Sequence, residues 1–394
     1  MKRIIRSIVL LMAAALIAAS CMMFGTTNSA SAAGSVTPAW ACVATGTPTP
    51  TTTPTPTTSA SASDSASTTP TSTATVPPAA ITPMVQIAGN HNEIDETRTL
   101  IQIQLKSPAG ACLDGTVVLW EYLGGVWVRV GAVTIPASGS KSIWIAARVT
   151  TSWRAYATQT PIRHAAWSPV FALHNVPPKP VISTPSWLPR PTLKPAQVRA
   201  VGHGANTVVA PIPDGLWARM TKASWHPGCP VGRSALRTLT INYWGFDGLR
   251  HRGTLVIAAW AARDFVGAFS GFYANSIPLR YIYPVDVFGW SSATNGGDDY
   301  ASMRADNTSA FNCRWVDGSP GVMSPHSWGG AVDLNTFENP YDSATGWTPT
   351  EAWARIDIRP YAWRHGWDKV VSIMRANRFA WTYGTNDPQH FDAH

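Results

Sequence analysis

The sequence predicts two folded units in one exported chain, an all-β sandwich followed by an α+β domain. Three observations carry this. Residues 84–176 run as short apolar–polar alternations with a turn signal after each. Residues 196–394 mix such alternations with apolar residues spaced four apart. A Thr/Pro/Ser-rich stretch without bulk, which cannot carry a core, precedes the first unit, and a Pro-rich stretch precedes the second. The 394 residues, 45% hydrophobic and only 13% charged, allow two domains with neutral, polar surfaces. Most of the 19 tryptophans belong in those cores, and any left at a surface suit carbohydrate or peptide contact.

In the first unit, TLIQIQL, GTVVLWEYL, VWVRVGAVTI, KSIWIAARV, SWRAYATQ and SPVFALHNV read as strands, separated by turns such as LDG, LGG and ASGS. Six or seven strands in so short a span make a β-sandwich. The strands, GGVWVRVGAVTI above all, resemble those of bacterial immunoglobulin-like domains. In the second unit, RTLTINYW and GTLVIAAW read as a hairpin around GFDGLRHRG. RDFVGAFSGFYANS reads as a helix with Phe265, Phe269 and Tyr273 four apart, and LRYIYPVDVF as a strand. GWDKVVSIMRANR is a second helix with Val370, Val371 and Met374 as its stripe, and FAWTYG a closing strand.

The start of the chain reads as an export signal. Lys2, Arg3 and Arg6 precede an apolar run, and Ala30 and Ala32 offer a cleavage site, giving a signal peptide over 1–32. The apolar run is short for a membrane span. A rival reading makes Cys21 a lipid-anchored first residue. Residues 33–83 form a Thr/Pro/Ser-rich linker whose job is reach through a wall layer, and 177–195 a stiffer, Pro-rich one. Cleavage after Ala32 removes three cations and no anion, so the formal charge falls from +8 to +5. That mild excess suits an acidic cell-wall surface. No basic cluster with interleaved aromatics points to nucleic acid, and a monomer is expected. Four cysteines remain, an even number that reads as disulfides outside the cell. Cys229 and Cys313 share the later unit and pair, leaving Cys42 with Cys112.

The chemistry gathers in two stretches. In SPHSWGGAVDLN, alternation puts Asp333 on the face opposite Val332 and Leu334, while Gly329 and Gly330 allow a bend that swings His326 over that face. Imidazole and carboxylate together suit Zn2+. In TYGTNDPQHFDAH, His390 supplies a third ligand, and Asp387, three residues earlier, supplies a carboxylate beside the metal. Asp392 and His394 are rival ligands. Three ligands and an open position describe a catalytic zinc rather than a structural one.

Ser324, His326, Gly329, Ala331 and Asp333, followed by Asp387 and His390, resemble the zinc D-alanyl-D-alanine carboxypeptidase family, with its VanY-type peptidases and its endolysins that cut L-alanyl-D-glutamate bonds. DNTSAFNCR, LNTFENPY and GFDGLRHRG add to the likeness. The resemblance covers roughly residues 205–394. It implies a Hedgehog/D-Ala-D-Ala peptidase-like fold, a zinc held by His326, Asp333 and His390, Asp387 as base and acid, and peptidoglycan stem peptides as substrate. It also implies an arginine for the substrate oxyanion. Arg314 is the match, with Arg304 and Arg280 as alternatives. Gln389 stands where relatives carry tryptophan, and Asp387 where they carry glutamate, which leaves the bond open between a carboxypeptidase and an endopeptidase. The alternative function is a non-catalytic wall-binding or adhesin protein that works through the sandwich.

Overall fold

The computed structural model describes Cys42 and residues 79–394. The signal peptide over 1–32, Cys21 and most of the linker over 33–83 lie outside the described residues. The architecture is β-rich with few helices. Two compact units divide between Val176 and Pro177.

The first unit closes two sheets on one core. One has the order β1–β3–β6: Met84–Gly89, Thr99–Lys106 and Ser140–Ile145. The other runs β2–β9–β7–β4–β5: Asn92–Ile94, Phe171–Val176, Thr151–Ala157, Gly115–Leu123 and Val126–Ile135. The short β8, Ala166–Trp167, pairs with β7. Period-two alternation sends Ile101, Ile103 and Leu105 of β3 inward against Val117 and Leu119 of β4 and Leu173 of β9. A disulfide joins Cys42 to Cys112, S–S 2.03 Å.

Three carboxylates are buried in this unit, and one of them, Asp95, accepts from Asn175 Nδ2 at 2.7 Å. Glu93 and Glu121 are nearly solvent-free. Burial pushes both up to about 7. Unfolded, each titrates near 4.5. Between those values the folded state holds protons that the unfolded chain has lost. Stability contributed at low pH therefore declines as pH rises from 4.5 to about 7 and then levels off. The melting temperature of the first unit is expected to be higher at pH 5 than at pH 7.5. Glu93→Gln with Glu121→Gln should raise the neutral value and flatten the slope, as thermal denaturation across pH would show.

The second unit is built on an antiparallel sheet of order β10–β13–β12–β11: Val198–Arg199, Arg250–Ala258, Leu236–Trp244 and Val208–Pro211. The β12–β13 hairpin turns within residues 245–249, so RHRG belongs to strand β13 and not to the loop. Helix Ala262–Ala274 lays Phe265, Phe269 and Phe272 on the sheet. Phe272, not Tyr273, completes the stripe; Tyr273 stacks on Trp244 instead, 5.3 Å between ring centres. Helix Lys369–Ala376 adds Val370, Val371 and Met374 to the same core. LRYIYPVDVF is strand only at Tyr281–Ile282, because Pro284 has no donor to continue a ladder and a 3₁₀ turn follows at Val285–Phe288. FAWTYG is strand only at Phe379–Ala380.

The Pro-rich segment over 177–195 is not a free linker. It packs within the second unit. Ile182 N–H donates to Phe246 O at 2.7 Å, and Trp353 Nε1–H donates to Pro189 O at 3.0 Å. Leu188 is buried with Phe246, Phe337 and Trp353. Its apolar residues find partners that composition alone did not suggest.

Candidate active site

A second, three-stranded sheet carries the site: Ala331–Asp333, His390–Ala393 and Phe379–Ala380, with His390–Ala393 in the middle. Val332, Leu334 and Phe391 anchor it in the core. Antiparallel register sets Asp333 directly opposite His390. Directly opposed residues share a face, so the two side chains meet.

His326 arrives from a single 3₁₀ turn, Pro325–Trp328. Ser324 caps the turn, its Oγ accepting from His326 N–H at 3.4 Å. Gly329 ends the turn at φ 75°, the left-handed region that favours glycine. Its carbonyl accepts from Ala258 N–H of β13 at 2.8 Å, and a Cβ at Gly329 would crowd that same nitrogen at 2.8 Å. The bend thus ties the turn to the main sheet and aims His326 at the small one.

The three side chains converge while buried. His326 Nε2 lies 3.2 Å from Asp333 Oδ2 and 3.1 Å from His390 Nδ1. His390 Nδ1 lies 3.0 Å from Asp333 Oδ1. The far nitrogen of each ring is already engaged. His326 Nδ1 faces Ala310 O at 2.6 Å, and a carbonyl can only accept, so Nδ1 carries the proton there. His390 Nε2 faces Asp392 Oδ1 at 3.1 Å. Burial opposes ionisation of Asp392, but its bond to His390 holds it below the ordinary carboxylate value. Each ring therefore turns a lone pair toward Asp333, and the donor atoms lie within 4.8 Å of one another. Lone pairs and a carboxylate facing one point repel unless a cation stands among them. Histidine, histidine and aspartate are the donor set for a divalent ion such as zinc. Without one, burial would raise Asp333 and lower His390, yet His326 and then His390 hold the carboxyl well down, and Asp333 and then Asp392 hold the His390 ring well up.

Asp387 lines the same cavity, of about 310 Å³, without joining the cluster. It follows the turn Gly384–Asn386. Its Oδ1 is buried with no hydrogen-bond partner. Burial pushes the carboxyl up to about 7, Asp333 adds repulsion, and His390 and His326 pull the other way.

Arg314 also lines the cavity, and neither Arg304 nor Arg280 does. Arg280 is held in a buried network with Asp306 and Glu338. Arg314 Nη2 pairs with Asp299 at 2.8 Å. Burial works against its charge, but Asp299 and then Asp333 favour it and leave it raised. Its backbone is bolted to the His326 turn: Ser324 N–H donates to Arg314 O at 2.9 Å, and Arg314 N–H to Ser327 Oγ at 3.3 Å. Cys313, the residue before, is disulfide-bonded to Cys229, S–S 2.05 Å. Those sulfurs also lie near His226, but the disulfide commits them and they are not open to a metal.

Of the rival ligands, Asp392 supports His390 from behind, and His394 is exposed, its N–H donating to Arg378 O at 3.0 Å. Asp299 and the Ala310 carbonyl had no sequence signal. Each lies more than ten residues from the group it serves, so only folding reveals the pairing. Tyr341, Tyr383 and Gln389 also line the cavity.

Residues 317–393 match the family model described as D-alanyl-D-alanine carboxypeptidase. The match lies at the C-terminal end and covers well under half of the chain. The matched stretch contains His326, Asp333, Asp387 and His390, and begins just after Arg314. No curated protein matches. Among solved structures, one described as the CARDB domain of a Pyrococcus furiosus protein in complex with di-metal ions is 11% identical. It covers 24% of this chain and 94% of its own, with a TM-score of 0.17, too slight a likeness to carry an argument.

Asp392→Asn tests the support behind His390. The amide can donate to Nε2 and move the ring proton to Nδ1, removing the lone pair that faces Asp333. Zinc affinity is expected to fall about 10–100-fold, the usual cost of losing such a partner. Competition with a chromophoric chelator measures it.

Proposed function

We propose that the C-terminal unit is a zinc-dependent peptidase that hydrolyses peptidoglycan stem peptides outside the cell. Further, we infer a Hedgehog/D-Ala-D-Ala peptidase-like fold for it and an immunoglobulin-like one for the sandwich. Export by a signal peptide over 1–32, or anchoring at Cys21, belongs to the same proposal. One observation carries the reading: three converging ligand atoms share a cavity with a carboxylate whose oxygen has no partner.

His326, Asp333 and His390 would hold the metal. A zinc ion bound there would acidify water and polarise the scissile carbonyl. Asp387 takes the proton from the attacking water and returns it to the leaving amine. Its unpartnered Oδ1 is the atom placed for that transfer. Arg314, fixed by Asp299, offers its remaining donors to the oxygen that gains charge. Burial keeps water from screening this charge. A non-catalytic wall-binding protein would not need the Asp387 Oδ1 buried and unpartnered beside the three ligands.

The cavity wall favours the endopeptidase option over the carboxypeptidase one. Among the described residues its one Lys or Arg, Arg314, is already paired with Asp299, and Asp317 and Asp342 line it beyond that pair. A free terminal carboxylate would meet like charge there; an internal peptide bond would not.

Purified peptidoglycan digested with and without chelator, and read by mass spectrometry, tests the reading. Chelator-sensitive fragments are expected, with stem peptides outweighing free D-alanine. Fragments released equally in both arms would sink the zinc mechanism. Asp387→Ala should keep zinc and lose about 10²–10⁴-fold in kcat. Arg314→Gln should lose about 10²–10³-fold. The acid limb of kcat/KM is expected at or below about pH 7, since burial sets Asp387 there and a bound cation favours its ionised form.

A further inference from the structure

We propose that the outer face of strands β8, β7, β4 and β5 binds the glycan strand of peptidoglycan. Choosing that glycan rests on the peptidase reading above, because the stem peptide hangs from it.

Alternation turns one side of these strands out of the core. On β4, Val117, Leu119 and Glu121 point inward, while Trp120 and Tyr122 point outward. On β7, Trp153, Ala155 and Ala157 point inward, while Arg154 and Tyr156 point outward. The outward residues make two ring clusters. Tyr156 and Trp167 lie 4.6 Å apart between centres, and Trp120 lies 6.0 Å from Trp167. Tyr122 and Trp127 lie 5.3 Å apart. Between the clusters Arg154, opposite Trp120 on β7, reaches across β4 to hold its guanidinium 5.3 Å from the Trp127 ring centre on β5. The platform crosses four strands, a width of about 14 Å at ordinary strand spacing.

Cross-strand packing accounts for the contacts but not for the exposure. Trp167 is 50% exposed and Tyr122 42%, one in each cluster. Contiguous aromatic surface left in water marks a binding face. Sugar rings fit it: their flat C–H faces lie on the electron-rich face of an indole or phenol, and their hydroxyls meet the polar rim. Charge selects among sugars. Arg129 also stands opposite Trp120, and among the described residues that point outward on these four strands none is Asp or Glu. No carboxylate pairs with Arg154 among the described residues. A glycan carrying carboxylates complements that face, and a neutral one does not use the arginines. Peptidoglycan is such a glycan: its stem peptides carry carboxylates, and where an amidase removes them it frees the lactyl ones.

The test is co-sedimentation of the full-length protein, with chelator present to stop hydrolysis. One arm uses purified peptidoglycan; a second uses the same material stripped of stem peptides by an amidase; a third uses anionic phospholipid vesicles. Binding to both glycan arms is expected, weakened by salt. Trp120→Ala with Trp167→Ala should lower affinity at least ten-fold in both while leaving metal-dependent cleavage of a soluble stem peptide unchanged. Arg154→Gln should weaken binding and reduce its salt dependence. If near-ultraviolet circular dichroism shows the tryptophan variant unfolded, Arg154→Glu decides, and must bind several-fold more weakly. Wild-type affinity in the folded tryptophan variant, or wild-type protein that sediments with vesicles but not with stripped glycan, would overturn the proposal. Failure of the peptidase reading shows separately, as absent cleavage with sedimentation intact.

Discussion

The candidate site of the C-terminal unit depends on one strand pairing, Asp333 opposite His390. It brings a carboxylate and an imidazole 57 positions apart onto one face at 3.0 Å. The two strands are short, and their register is held by what they bury. Val332, Leu334 and Phe391 sit in the shared core with the helices and the four-stranded sheet. A slip of one residue would turn Asp333 into the core and Val332 into the cavity, which burial energy forbids.

The polar groups around that pairing are arranged in layers. The inner layer turns lone pairs together. The next layer, Ala310 O and Asp392, holds the far side of each ring and so decides which nitrogen is free. Arg314 belongs to a third group, clamped by Asp299, by the Ser324–Ser327 turn and by the disulfide at Cys313. In the proposed mechanism such preorganisation matters, because a cation aimed at a developing oxyanion works best when nothing has to move during the reaction. Asp387 is the exception to full pairing. Leaving a buried carboxylate oxygen without a partner costs stability, and sites that carry out proton transfer are where such costs recur.

The sandwich follows different rules. Its inner face is plain alternation and hydrophobic burial, except for Glu93 and Glu121, which tie part of its stability to pH. Its outer face keeps aromatic rings where polar residues would serve solubility better. The two units thus place their unusual chemistry oppositely, one in a buried cavity and one on an exposed sheet.

Residue spacing by itself marked most of the elements and pointed to the parts of the candidate site. Alternation marked β3, β4, β5 and β7, and four-residue spacing marked the helices Ala262–Ala274 and Lys369–Ala376. Residue type singled out His326, Asp333 and His390, whose donor atoms converge, and Asp387, which lines the same cavity. These features are local, set by periodicity and by what a side chain can coordinate. Tertiary structure decided the rest. It packed Pro177–Pro195 into the second unit, shortened LRYIYPVDVF to two strand residues, moved Asp392 from rival ligand to support, and matched Arg314 with Asp299. Each of those outcomes turns on a partner distant in sequence or on the three-dimensional placement of a hydrogen bond. No local pattern records a contact that only chain closure creates.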